Sequence, residues 1–235
     1  MGTSDPLQQK YLDISPYAYC NNYPTILIDP DGLSPIYSIY GILLGTDNEG
    51  LQGPAIIMET AIFKQKEKGL THEEAMKYNL GEKGLVRFVY KRFANSYYNL
   101  DKRPDWDGYI TLDEANEWYR TGKGEPLFAD LSKIDLSGLF SLGERFVDQK
   151  RSINLFLVSL INPKDALVYG SITLKRYPNH YVRAYADTYD FDIQISRPIR
   201  NISTIIGKMV AGKGTEYTIH LYGSQQLKPL LPWMK

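Results

Sequence analysis

The sequence predicts an α+β fold, with a helical N-terminal half followed by an antiparallel β-sheet that includes one helix. Between about residues 54 and 120 the apolar residues recur at helical spacing, whereas from Ala166 onward they alternate with a period of two. Helices followed by strands are typical of α+β proteins rather than of alternating α/β proteins. With 43% hydrophobic residues in a chain of 235, there is enough apolar surface for a core.

Helical spacing and capping residues predict four helices in the first half. Thr71 followed three residues later by Glu74 is a capping box, so one helix begins there and runs to about Tyr78. The other three helices are expected at about residues 54–69, 85–98 and 112–120.

Strands and one further helix are predicted in the second half. The strand nearest the C-terminus ends at Tyr222, and a helix follows the break at Pro198. The predicted elements are strands Leu167–Lys175, Tyr181–Tyr185, Tyr189–Ile195 and Glu216–Tyr222, with the helix at Ile199–Met209.

Charge and composition exclude some classes of function. Lys+Arg and Asp+Glu both number 27, so the formal net charge is zero and no general attraction to nucleic acid is expected. The lone cysteine, Cys20, allows no internal disulfide. No apolar run approaches the ~20 residues of a membrane-spanning helix, so no transmembrane segment is predicted.

Residues 5–33 are rich in turn-forming residues and hold only short hydrophobic pieces. The stretch reads DPLQQKYLDISPYAYCNNYPTILIDPDGL, in which Asp29-Pro-Asp-Gly32 is a strong turn. It resembles the closing segment of the RHS-repeat-associated core. That resemblance implies a β-shell of YD repeats around a variable C-terminal tip, chain cleavage after Leu33, and a secreted or delivered effector with the shell and an immunity protein as partners. The domains expected are 1–33 as a turn-rich arm, 34–145 as a helical region and 146–235 as an α+β module.

Residues 103–114, RPDWDGYITLDE, match most of the calcium-loop pattern D-x-[DN]-x-[DN]-G-x-I-x-x-x-E. Arg103 stands at position one, where the pattern has an aspartate, and so removes one ligand. The predicted Ca²⁺ ligands are Asp105, Asp107, Tyr109 and Glu114. A second interpretation needs no metal, because Thr111 and Glu114 also form a capping box and Asp107-Gly108 marks a turn.

Three carboxylates lie within the six residues Asp187-Thr-Tyr-Asp-Phe-Asp192. On a strand, Asp190 and Asp192 share one face about 7 Å apart, given a rise of ~3.3 Å per residue. Such a group either holds Mg²⁺ and acts on a phosphoryl substrate or forms a solvated strand face.

The C-terminal region, "VYGSITL…ADTYDFD…R…IG…AGKGTEYTIHLYG", resembles colicin-M-type bacteriocins over about 60 residues. Those enzymes use Mg²⁺ to cleave the bond between the lipid carrier and the pyrophosphate of the peptidoglycan precursor. The resemblance implies catalytic roles for Asp187, Tyr189 and Asp190, and action at the envelope or periplasm of a target cell. The family has a His-Arg pair a few residues later, for which this chain offers Arg197 and no adjacent histidine. His180, in the preceding turn, is the nearest candidate in the sequence.

Three functions follow from these patterns. The first is a tip toxin that hydrolyses phosphoric ester or pyrophosphate bonds. The second is a nuclease tip, although the zero net charge and the lack of a paired histidine motif argue against it. The third is a non-enzymatic binding module steadied by calcium, for which the 19 tyrosines would suit a contact surface.

Overall fold

A computed structural model describes residues 34–48, 50–63, 70–142, 147–185 and 214–228 of the chain. The arm expected at residues 1–33 lies outside this part. So do the strand expected at Tyr189–Ile195 and the helix expected at Ile199–Met209.

The first sheet is small, mixed and fully buried at its centre. Strand β1 (Pro35–Ser38) lies between β2 (Leu43–Thr46), which is antiparallel to it, and β3 (Ile56–Met58), which is parallel. The prediction of a helix at 54–69 was therefore wrong at its start. All three β3 residues are buried, so the strand has no polar face, and a short apolar run of this kind has no period that separates strand from helix.

The described helices are α1 (His72–Lys77), α2 (Tyr90–Tyr97), α3 (Leu112–Thr121) and α4 (Lys164–Tyr169). Both predicted capping boxes are present, at Thr71 before α1 and at Thr111 before α3. Helix α2 begins five residues later than the periodicity suggested. Phe88 has a φ of 76°, a left-handed conformation that ends helical geometry before Tyr90.

Two further sheets form the second half. Strands β4 (Leu127–Asp130) and β8 (Ile219–Tyr222) pair in parallel. Strands β5 (Lys150–Asn154), β6 (Ser171–Arg176), β7 (Tyr181–Tyr185) and β9 (Ser224–Gln226) form an antiparallel sheet in the order β5-β6-β7-β9. The predicted α+β class is confirmed, and β7 has the predicted bounds.

Gly223 joins the two sheets by connecting β8 directly to β9. Its φ is 76°, and a Cβ at this position would lie 3.1 Å from Asp130 Oδ1, so both backbone and space favour glycine. The strand predicted to end at Tyr222 thus continues, after this one residue, into the other sheet.

The strand predicted from Leu167 to Lys175 was wrong over its first three residues, which belong to α4. Helix α4 buries Asp165, Ala166, Val168 and Tyr169, and ends at Gly170 with a φ of 60°. The strand β6 then begins at Ser171. The six-residue helix is too short for its period to be distinguished from that of a strand.

The main core combines residues from Ile110 to Leu227. Leu127, Ala129 and Leu131 pack in this one cluster with Leu155, which follows β5, and with residues of the antiparallel sheet such as Ile172. Residues on both sides of the predicted domain boundary between 145 and 146 contribute to this core, and the boundary itself stays a prediction. Among the described residues, no helix is both long enough and apolar enough to cross a membrane.

Candidate functional site

The segment that matches a calcium loop begins with an ion pair. Arg103 donates from Nε to Asp105 Oδ1 and from Nη2 to Oδ2, both at 2.9 Å. Asp105 Oδ2 also accepts the backbone N–H of Phe128 at 2.8 Å. Both oxygens of this fully buried carboxylate are therefore used by protein donors.

The other three predicted calcium ligands have separate partners. Asp107 is exposed, and its Oδ1 accepts the backbone N–H of Tyr109 at 2.9 Å, as in a turn. The Tyr109 hydroxyl donates to Asp165 Oδ1 at 2.7 Å. Glu114 is exposed, and its Oε2 accepts the N–H of Thr111 at 2.8 Å. These contacts match the interpretation as a turn and a capped helix start.

The structure thus does not bring the four predicted ligands together. Among the described residues, no group of three or more His, Cys, Asp or Glu is placed to hold a metal ion. Calcium at residues 103–114 stays a prediction, and the contacts of Asp105 and Glu114 weigh against it.

A buried polar network, which sequence reasoning missed, surrounds Asp165. This side chain is 1% exposed. It accepts the Tyr109 hydroxyl at 2.7 Å, the Asn162 amide at 2.8 Å and the backbone N–H of Asp135 at 2.6 Å. Burial raises the pKa of Asp165, and these hydrogen bonds only partly oppose the rise.

Asp135 is the second carboxylate of this network. Its Oδ2 accepts the backbone N–H groups of Ile161 at 2.7 Å and Asn162 at 2.6 Å, and its Oδ1 accepts that of Ser137 at 2.9 Å. Burial acts to raise the pKa of Asp135, but these donors outweigh it and the pKa is lowered. Every donor serves to fix the loops around α4, so we interpret the network as structural.

The antiparallel sheet has one end at which β7 leaves toward the predicted catalytic residues. Ser152, Thr173 and Tyr185 form a row across β5, β6 and β7, with neighbouring strands about 4.8 Å apart. Asn154 pairs with Ser171 one step nearer the end. Strands β5 and β6 therefore carry hydroxyl and amide residues here, and none of the paired residues in these two rows is charged.

An exposed apolar segment lies at the same end of the sheet. Strand β5 ends at Asn154, whose Oδ1 caps the next turn by accepting the N–H of Phe156 at 3.0 Å. Four large apolar side chains then face solvent, with relative exposures of 40%, 72%, 56% and 74% at Phe156, Leu157, Leu160 and Ile161. Four such side chains within six residues form an apolar surface, which in a soluble protein commonly marks a contact with a ligand or a partner.

His180 lies at the opposite end of the sheet. It precedes β7, whereas Tyr185 ends it, so the two are separated by about 16 Å at ~3.3 Å per residue. Arg176 Nη2 lies 3.0 Å from His180 Nδ1. Because a guanidinium group can only donate, Nδ1 is the acceptor in this contact. The ring also packs against Phe140, with centroids 4.7 Å apart.

The four other predicted catalytic residues, Asp187, Tyr189, Asp190 and Arg197, lie outside the described residues. Asp187 follows the end of β7 by two positions in the chain. Their catalytic roles therefore stay predictions.

Comparisons with known proteins give a likeness to a solved structure. No family model matches the chain, and no curated protein matches it. Among solved structures, the chain is similar to pectocin M2, with 18% sequence identity and a TM-score of 0.28. The similarity covers 63% of this chain and 64% of that one, which is less than two thirds of pectocin M2. A likeness at this TM-score assigns neither fold nor activity to the chain.

Proposed function

We propose that this chain is the C-terminal tip of an RHS-repeat toxin. In this proposal it hydrolyses a phosphoric ester or pyrophosphate bond of a lipid-linked peptidoglycan precursor. In this proposal, cleavage after Leu33 releases the tip from its shell, and the tip acts in the envelope of a target cell. An immunity protein would protect the producing cell. Support comes from the resemblance of residues 5–33 to the end of an RHS core and from the Asp187-Thr-Tyr-Asp-Phe string.

The proposal rests mainly on one observation: β5 and β7 end at the same end of the antiparallel sheet. Strand β7 ends there, two residues before Asp187 in the chain. The exposed apolar side chains from Phe156 to Ile161 follow β5 at the same end. A lipid-linked pyrophosphate needs an apolar surface beside a site for its charged part, and this end of the sheet offers the first of these. We propose the lipid chain of the precursor as the occupant of this surface.

The residues of the string would hold the charged part of the substrate. Asp187 and Asp190 supply hard carboxylate oxygens of the kind that Mg²⁺ prefers, and Mg²⁺ would neutralise charge on the pyrophosphate. Arg197 would donate hydrogen bonds to oxygens that gain negative charge as the bond breaks. Because His180 lies at the far end of β7 and pairs with Arg176, we assign it a positioning role at the β6–β7 turn.

Induced expression with and without periplasmic export tests the proposal, with lysis as the readout. The parent should lyse cells only when exported, and Asp190→Asn should abolish lysis. Asp148→Asn is the matched control, because Asp148 makes a surface ion pair with Lys175 at the other end of the sheet. If Asp190→Asn lyses cells as well as the parent does, or if the parent harms cells in neither compartment, the hydrolase proposal fails and a binding module becomes the better account.

A further inference from the structure

Ser34 and Asp47 are hydrogen-bonded to each other at the open end of the β1–β2 hairpin. The backbone N–H of Ser34 donates to Asp47 Oδ2 at 3.1 Å, and the backbone N–H of Asp47 donates to Ser34 O at 3.1 Å. Both residues have a relative exposure of 0%. The nitrogen of Ser34 is therefore held against a carboxylate that is shielded from water.

The fold fixes this pair through the hairpin of β1 and β2. Pro35 pairs with Thr46 in the register, so Ser34 and Asp47 are the next positions outward on the two strands. A residue before proline is restricted to extended conformations, which limits how Ser34 can turn. Thr46 Oγ1 also donates to Ser34 O at 3.3 Å. The backbone nitrogen of Ser34 is thus preorganised to face Asp47.

The Asp47 carboxylate has several hydrogen-bonding partners. Besides Ser34, its Oδ1 accepts the N–H of Gly50 at 3.3 Å, and its Oδ2 lies 2.9 Å from Nδ1 of His72. Burial of a carboxylate is unfavourable unless donors or an opposite charge compensate for the lost water. Backbone N–H groups carry only partial charge, so a full positive charge at the Ser34 nitrogen would add attraction to a carboxylate that is already desolvated.

We infer that Asp47 forms a binding site for an α-ammonium group at Ser34, which cleavage after Leu33 would create. Hydrolysis of the Leu33–Ser34 peptide bond consumes one water, leaves a carboxylate on Leu33 and an amine on Ser34, and that amine takes up a proton because its ordinary pKa is about 8. The inference rests on the cleavage proposed above. The new terminus becomes a charged anchor for the first sheet, with Asp47 as its counter-ion.

If this contact forms, cleavage after Leu33 increases the folding stability of the tip. Before cleavage, the Ser34 nitrogen is an uncharged amide with one proton directed at Asp47. Afterwards the same nitrogen carries a full charge at the same position, and release of residues 1–33 leaves this contact in place. We therefore expect the processed tip to be more stable than the unprocessed chain, with its terminal amine held against the buried Asp47 carboxylate.

The experiment imposes the cut on the full chain. Replacing Pro30–Leu33 with Ile-Glu-Gly-Arg lets factor Xa expose Ser34 after the chain has folded, and mass spectrometry verifies the product. In the matched control, the same four residues replace Asn21–Pro24, so that the new terminus is Thr25 and Ser34 keeps its amide. Both termini are 1,2-amino alcohols, which periodate oxidises selectively.

Two readouts are compared in the two cut chains. The melting temperature should be at least about 3 °C higher in the Ser34-cut chain than in the Thr25-cut chain, a shift of the size expected from roughly 1 kcal/mol in a protein of this length. Periodate oxidation of the terminus should be slower at Ser34 than at Thr25 by about tenfold or more, because oxidation requires local opening. In Asp47→Asn, cutting before Ser34 should give no gain in melting temperature.

Equal melting temperatures with equal periodate rates in the two cut chains would overturn the inference. An equal gain on cutting Asp47→Asn would also overturn it, because the gain would then have another source. Both comparisons of the two cut parent chains are independent of Asp47→Asn, so the inference stays testable even where that variant does not fold. Natural cleavage is a separate measurement: N-terminal sequencing of the tip from the shell-containing protein should read Ser-Pro-Ile, and another sequence would refute the proposed processing without affecting the imposed-cut result.

Discussion

Arg103 and Asp105 form a bidentate ion pair. The guanidinium donates from Nε to Oδ1 and from Nη2 to Oδ2, both at 2.9 Å. The same guanidinium donates to the carbonyl of Pro126 at 2.7 Å and lies 4.9 Å from the ring centre of Trp118. The residue that departs from the calcium pattern is thus the one that organises the loop, by tying it to α3 and to the start of β4.

Asp105→Ala should destabilise the protein by about 3–5 kcal/mol, the usual cost of removing one partner of a buried ion pair. The variant removes the buried counter-ion of the Arg103 guanidinium, whose side chain is only 11% exposed, and leaves the exposed Glu125 carboxylate, 3.4 Å from Nη1, as a much weaker partner. It also removes the acceptor of the Phe128 N–H. Urea unfolding followed by tryptophan fluorescence measures the change.

Asp107→Ala is the matched control, because Asp107 is exposed and accepts only the Tyr109 N–H among its described side-chain contacts. Its loss should cost about 1 kcal/mol. Equal destabilisation by the two alanine variants would contradict the account of the loop.

Added Ca²⁺ should leave the melting temperature of the parent unchanged, and a chelator should not lower it. A ligand that binds only the folded state raises the melting temperature, so the experiment detects any real site. The physical reason for the null shift is that Arg103 uses both oxygens of Asp105 and that Glu114 caps α3. If Ca²⁺ raises the melting temperature and a chelator reverses the rise, residues 103–114 do bind calcium and this prediction is wrong.

The sequence predicted this region in part because local signals were reliable. The capping box at Thr111 and the helix after it depend on residues three positions apart, and both were found. The role of Arg103 could not be read in the same way, because its partner Pro126 and the Phe128 N–H that donates to Asp105 are more than twenty residues away. The residues next to Arg103 in the sequence give no indication of contacts with residues so far away.

Asp135 and Asp165 should impose opposite pH dependences on stability. The lowered pKa of Asp135 adds stability above the ordinary aspartate value near 3.8, and this stability is lost as pH falls through the lower folded value. The raised pKa of Asp165 has the reverse sign, because stability is greatest below 3.8 and falls as pH rises through the higher folded value.

Unfolding free energies of Asp135→Asn and Asp165→Asn, measured between about pH 3 and 7, test these signs. Relative to the parent, Asp135→Asn should become less stable as pH rises, whereas Asp165→Asn should become more stable. Parallel pH profiles for the two variants would show that the network does not separate the two carboxylates in this way.

Leu157→Ser and Ile161→Ser should lower toxicity severalfold or more while changing stability by less than about 0.5 kcal/mol, because surface substitutions have small effects. Their side chains are 72% and 74% exposed, so they contribute little to the core, and the proposal assigns their apolar area to the substrate. Met76→Ser on α1, at 47% exposure, is the control for a general loss of surface hydrophobicity. Full toxicity of the double variant Leu157→Ser with Ile161→Ser would exclude the segment from substrate binding.

The sequence predicted the carboxylates of the proposed site, but it did not predict the structure around them. The segment from Phe156 to Ile161 has the composition of a core strand, yet after β5 ends at Asn154 its residues Phe156, Leu157, Leu160 and Ile161 are exposed while Val158 stays buried. The pairing of Arg176 with His180 spans a four-residue turn whose geometry depends on Asn179 and His180 at positive φ. Neither outcome follows from hydrophobic periodicity, which reports which faces are apolar and not where a strand ends.

The most direct test of the central claim is hydrolysis of a purified lipid-linked peptidoglycan precursor, followed by chromatography of the released pyrophosphate-bearing product. With Mg²⁺ the parent tip should release this product, and chelation should stop the release. Asp190→Asn should reduce the rate by about 10²-fold or more, the scale of losing a group that stabilises transition-state charge, while its unfolding curve stays that of the parent. Release at the parental rate by Asp190→Asn, or no release by the parent with Mg²⁺ present, would contradict the account.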